Sequence, residues 1–125
     1  MAEIFFRNVK LHKGDCPPIF NVEGINFALK KMAPNAEKWD EEKIFPIETL
    51  QELAALGFGG IYVNPDLGGS GLSRLDASLI FEALSQGCTS TSAFLSIHNM
   101  ANWMIDSFAS NELKEKFVPD LCSMN

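Results

Sequence analysis

Residues 87–109 read GCTSTSAFLSIHNMANWMIDSFA, and no Asp, Glu, Lys or Arg occurs between Glu82 and Asp106. A helix resting on a protein surface normally breaks such a run with charges on its wet side. On a helical wheel Ala93, Phe94, Ile97, Met100, Ala101, Met104, Ile105 and Phe108 share one broad apolar face. The opposite arc carries Thr91, Ser92, Ser96, His98, Asn99 and Asn102, with Leu95 and Trp103 among them. This pattern predicts a helix buried nearly all round, its small polar groups facing something other than bulk water. A transmembrane span is disfavoured, because His, two Asn and an Asp within about twenty residues cost too much in lipid.

Working outward, the rest of the chain also reads as helices. Val22, Ile25, Phe27, Ala28, Leu29 and Met32 approximate a helical face that Pro34 is expected to end, leaving a short turn with Ala36 and Trp39. Pro46 suits the first position of the next helix, which places Ile47, Leu50, Leu53, Ala54 and Leu56 at helical spacing before Gly57. Phe58 to Val63 reads as an extended segment, and Asn64 to Gly71 as a tight glycine-rich loop. Ser73 with Asp76 three residues on is the acidic form of a capping box. It opens a helix from Arg74 to Gln86 with Leu75, Leu79, Ala83 and Leu84 expected inward. After the central helix, Asn111 to Phe117 is a solvated amphipathic turn that Pro119 is expected to interrupt. Residues 1–20 read as a separate arm, closed by Pro17-Pro18, and residues 21–125 as one helical domain. The fold class is therefore all-α, an up-and-down helical bundle.

The bulk properties exclude several functions. At 125 residues the chain suits one domain, and a formal net charge of −6 argues against a nucleic-acid surface, which needs a basic stripe. Three cysteines, Cys16, Cys88 and Cys122, are odd in number and lack CxxC spacing, which favours reduced thiols over a disulfide framework or zinc site. The opening MAEIFFRNVKLHKG shows neither the Arg-rich, acid-poor character of a transit peptide nor a secretory apolar region.

Candidate chemistry is sparse. The GGSG run at 68–71 lacks the lysine and hydroxyl residue of a P-loop, so a turn between helices explains it. His98 has no metal-motif neighbour and reads as a hydrogen-bonded core histidine. Cys88 precedes a helix N-terminus, where a thiolate is favoured, but no base is identifiable beside it. Glu41-Glu42 and Glu112-Glu115 read as solvated surface. Metal ligands are not expected. The residues alone thus yield a helical domain without a catalytic constellation.

Taken together, the pieces LGFGG, DLGGSGLSRLD, IFEAL and GCTST, in this order and spacing, resemble the N-terminal helical domain of the acyl-CoA dehydrogenases. The resemblance covers about Asn21 to Asn125; residues 1–20 do not match. It implies an FAD enzyme that oxidises a short branched acyl-CoA to its enoyl-CoA, in the mitochondrial matrix, as a homotetramer with electron-transfer flavoprotein as partner. It also implies that the catalytic Glu and nearly all flavin contacts come from domains outside this sequence. On that reading chain 1–125 alone is inactive and holds no FAD. What carries over is one wall of the acyl pocket, with Ser92, Ala93, Ser96 and Met100 at the lining positions. A different substrate preference within the family, or a non-catalytic helical interaction module, are the alternatives.

Overall fold

The computed structural model describes residues 18–125, and every regular element among them is helical. The reading of residues 1–17 as part of an arm lies outside the described residues. Helix α1 (Pro18–Phe27) starts three residues before the expected position, with proline first, where its missing N–H would have no intrahelical partner anyway. Pro34 does not end the helical path. A wide π turn, Ala28–Met32, closes with the Ala33 N–H donating to the Ala28 carbonyl, and α2 (Ala33–Glu41) follows with Pro34 in its first turn. Ala28 and Met32 are buried there, which locks the turn into the core.

Helix α3 (Ile47–Ala55) begins after Pro46 and ends at Gly57, whose φ of 87° is the left-handed conformation that glycine adopts without penalty. The expected extended segment is instead a single 3-10 turn, Phe58–Gly60, followed by tight turns to Val63. A second 3-10 turn, Pro65–Leu67, lies in the glycine-rich loop. Helix α4 (Arg74–Ser85) carries the predicted capping box: Asp76 N–H donates to Ser73 Oγ, and Ser73 N–H to Asp76 Oδ2 at 2.7 Å. The box also sets the phase of the helix. Asp76 turns inward, so Asp76, Ala77, Ile80, Ala83 and Leu84 are buried while Leu75, expected inside, is exposed and Leu79 half-buried.

Helix α5 (Thr89–Phe108) is the long central helix, and α6 (Asn111–Ser123) runs straight through Pro119 rather than stopping at it. Val118 and Cys122, buried on either side of that proline, anchor α6 against Val63 in a small second core. The main core joins Met32, Leu50, Leu53, Phe58, Ile61, Ile80, Leu84 and Leu95. Helix α4 lies between α1 and α5, and α6 packs on α5, on α3 and on the Phe58–Gly60 turn.

Candidate functional site

Helix α5 is inside out relative to the expectation of burial nearly all round. Its polar arc is the inward one: Thr91, Ser92, Asn99 and Asn102 are buried beside Leu95. Much of its apolar face is open, with Phe94, Ile97, Met100, Met104 and Phe108 between 43% and 76% exposed. The reason lies in what the polar arc meets. Asn99 Oδ1 accepts from the Ile61 N–H at 2.7 Å, and Asn99 Nδ2 donates to the Phe58 carbonyl at 2.8 Å and the Leu95 carbonyl at 3.0 Å. Asn102 Nδ2 reaches the Gly59 carbonyl and Cys122 Sγ. Buried backbone groups need partners, and these two amides supply them to a segment whose regular structure is a single 3-10 turn.

The glycines of that segment make the approach possible. A Cβ on Gly59 would collide with the Cys122 backbone carbonyl, and one on Gly60 with Cys122 Sγ at 2.5 Å. Cys122 itself is buried, and desolvation pushes its thiol above the ordinary value, partly offset by the hydrogen bond from Asn102. It is a packing residue. Cys88 caps α5, its sulfur accepting from the Thr91 hydroxyl at 3.2 Å and, more weakly, from the Thr91 N–H. His98 Nε2 donates to the Leu121 carbonyl at 2.8 Å, tying α5 to the end of α6, in accord with a hydrogen-bonded structural histidine.

The glycine-rich loop is occupied with itself. The N–H groups of Gly68, Gly69, Ser70, Gly71 and Leu72 donate to the carbonyls of Pro65, Asn64, Gly60, Val63 and Ile61 respectively. A phosphate cradle requires such amides to point outward together. This loop therefore shapes the chain and does not offer an anion or pyrophosphate site. Among the described residues no group of three His, Cys, Asp or Glu could hold a metal ion. No helix among them is long and apolar enough to cross a membrane.

The four residues singled out as an acyl-pocket wall divide between two surroundings. Ser92 faces inward, its hydroxyl donating to the Phe81 carbonyl of α4 at 3.1 Å. Ala93 and Met100 are exposed and Ser96 half-buried, on one strip of α5, with the Ser96 hydroxyl turned back to the Ala93 carbonyl at 2.9 Å. No charged side chain interrupts this strip along Thr89 to Ile105. On another side of the helix the Phe45 and Phe94 rings, 4.9 Å apart, separate two shallow grooves of about 260 and 280 Å³. Phe45 was not anticipated from sequence. Nothing in the local pattern around Pro46 announces that the preceding loop reaches α5.

Comparison with known proteins matches this architecture to a family. Residues 23–125 match the description "Acyl-CoA dehydrogenase, N-terminal domain". The chain is 53% identical over 105 residues to the mitochondrial isobutyryl-CoA dehydrogenase of Bos taurus, and 55% identical over 105 residues to that of Dictyostelium discoideum. Each match covers 84% of this chain and 25% of the relative, so the chain spans about a quarter of the length of these relatives. In three dimensions it resembles the FAD complex of PigA with a TM-score of 0.81 and 28% identity, over 92% of this chain and 31% of that one. The chain belongs to the acyl-CoA dehydrogenase family, and residues 23–125 are its N-terminal domain.

Proposed function

We infer that this domain provides one wall of the acyl pocket in an FAD-dependent acyl-CoA dehydrogenase that oxidises a short branched acyl-CoA, isobutyryl-CoA-like, as in valine breakdown. The observation that carries the reading is the uncharged strip of α5 on which Ala93 and Ser96 leave space beside Met100. Small residues admit a branched chain, and a flexible thioether moulds to its outline. Ser92 stands at the edge of the strip and acts from behind, holding α5 against α4 through the Phe81 carbonyl. High identity to two isobutyryl-CoA dehydrogenases supports the branched substrate.

Such an oxidation requires an electron acceptor, and FAD supplies that chemistry in this reading. The glycine-rich loop does not fit a flavin's pyrophosphate, because the amides of residues 68–72 are all engaged. No carboxylate stands on the strip either, so no group here is placed to take a proton from substrate. The part played by these residues is to bind, shape and exclude water. Chain 1–125 alone accordingly turns over no acyl-CoA, and the matrix location, the homotetramer and electron-transfer flavoprotein belong to the same proposal.

Ser96→Leu, in a protein that joins this domain to its flavin domains, tests the reading. A branched side chain there fills the pocket, so activity on isobutyryl-CoA falls while flavin content and thermal midpoint are kept. Equal loss of folding and activity assigns Ser96 to helix packing instead. Retention of full activity on isobutyryl-CoA, with a shift only on straight-chain substrates, favours another specificity within the family. A 1–125 chain that binds a helical partner and never affects turnover favours the interaction module.

A further inference from the structure

Three elements converge on the Arg74 side chain. Arg74 is the first residue of α4, Tyr62 follows the Phe58–Gly60 turn, and Trp103 lies on α5. The guanidinium carbon sits 3.9 Å from the centre of the Tyr62 ring and 4.3 Å from the centre of the Trp103 ring. Phe108 stands edge-on to Trp103 at 5.7 Å and supports the stack from outside. Cation–π contact of this kind orients the guanidinium and occupies its faces, leaving its N–H donors at the edge. Among the described residues no hydrogen bond or ion pair engages Arg74; the ion pair present is Lys31 with Glu52, at 3.1 Å. The chain carries a formal net charge of −6, so an unpaired, pre-oriented cation is a feature against the general field.

We propose that Arg74, framed by Tyr62 and Trp103, is a docking site for an acidic side chain, Asp or Glu, on the surface of a partner protein. A planar carboxylate matches two parallel N–H donors at the guanidinium edge, and its single charge matches the single cation. A phosphate dianion calls for a second cation, and neither the rest of α4 nor α5 carries a Lys or Arg to supply it. Exposed Leu75 and Phe108 flank the site and offer apolar contact to the residues beside that carboxylate. Arginine and large aromatic residues together are the side chains that dominate protein–protein binding energy. The inference is independent of the substrate reading.

The test uses the full 1–125 chain at low concentration, with Trp39→Phe so that Trp103 reports alone. The probes are the peptide acetyl-Leu-Glu-Leu-amide and its counterpart with Gln in place of Glu. The Glu peptide is expected to change Trp103 fluorescence saturably, and the Gln peptide to bind about tenfold more weakly, since a charge-assisted bidentate pair is lost. Arg74→Lys keeps the charge but not the fork and is expected to weaken the Glu peptide several-fold, and Arg74→Gln to abolish its binding. Equal binding of the two peptides overturns the proposal, and that arm needs no variant to fold. Unchanged binding by Arg74→Lys, or displacement of the peptide by inorganic phosphate at lower concentration than acetate, also overturns it.

Discussion

At the scale of single residues, Asn99 is where helix α5 and the chain's least regular segment become one structure. Its amide satisfies the Ile61 N–H in a fully buried place. Asn99→Leu keeps the branched outline in a larger, apolar side chain and orphans that N–H, and an unsatisfied buried donor costs about 1–3 kcal/mol. The expected result is a lower urea midpoint with an unchanged slope. Asn102 is the contrasting case: its Oδ1 is buried without a hydrogen-bond partner, while its Nδ2 reaches Cys122 Sγ. Cys122 yields a pH prediction. Because burial raises its folded-state pKa above the ordinary 9.0, its contribution to stability is complete below about pH 9 and is lost as pH rises through the folded value. Thermal midpoints of wild type and Cys122→Ala measured from pH 7 to 10.5 should therefore converge at the alkaline end. In native protein at pH 8, Cys122 should react with a thiol reagent far more slowly than after unfolding.

At the scale of elements, two helices are decided at particular positions. The α4 capping box pairs Ser73 and Asp76 reciprocally, so Ser73→Ala should cost about 1 kcal/mol and leave the rest of the fold intact. Helix α6 tolerates Pro119 because that residue is exposed while Val118 and Cys122 hold the helix to the core. The missing N–H nonetheless leaves the preceding turn short of one hydrogen bond. Pro119→Ala is expected to raise stability by about 1–3 kcal/mol, read as a higher denaturant midpoint. A fall in stability would show that the proline ring itself is packed productively. Gly59→Ala acts in the other direction, because the added methyl meets the Cys122 carbonyl, a backbone group that cannot swing aside.

At the scale of the whole molecule, the dominant feature is the uncovered apolar face of α5, continued by Phe45 and Ile47. Contiguous apolar patches beyond a few hundred Å² mark surfaces that other protein covers. Chain 1–125 by itself should bind a hydrophobic dye and self-associate as concentration rises. Ile97→Glu with Met104→Glu should reduce both, as followed by dye fluorescence and sedimentation velocity, without lowering helix content. A wild-type chain that stays monomeric and dye-free across that range would mean the face is sealed in solution.

Much of this was legible from residue order alone. The capping box at Ser73, the glycine stop at Gly57, the start at Pro46 and the uncharged central helix all rest on interactions within a few residues, which a linear pattern displays. The family resemblance implies Ser92, Ala93, Ser96 and Met100 as acyl-lining residues, an assignment that rests with the proposed function and its Ser96→Leu test. What the pattern could not show was which side of α5 faces inward. Hydrophobicity argues for the apolar face, but the Phe58–Ile61 backbone needs hydrogen-bond partners, and only the Asn99 and Asn102 arc can bring them. For the same reason Phe58 to Val63, apolar enough for a strand, became turns once side-chain amides took the place of a neighbouring strand. The Tyr62–Arg74–Trp103 stack also spans three elements far apart in sequence, so its contacts exist only after folding. Local chemistry determined that these segments are helical and set the ends at Gly57 and Ser73; the demand of the buried Phe58–Ile61 backbone for hydrogen-bond partners decided how α5 faces.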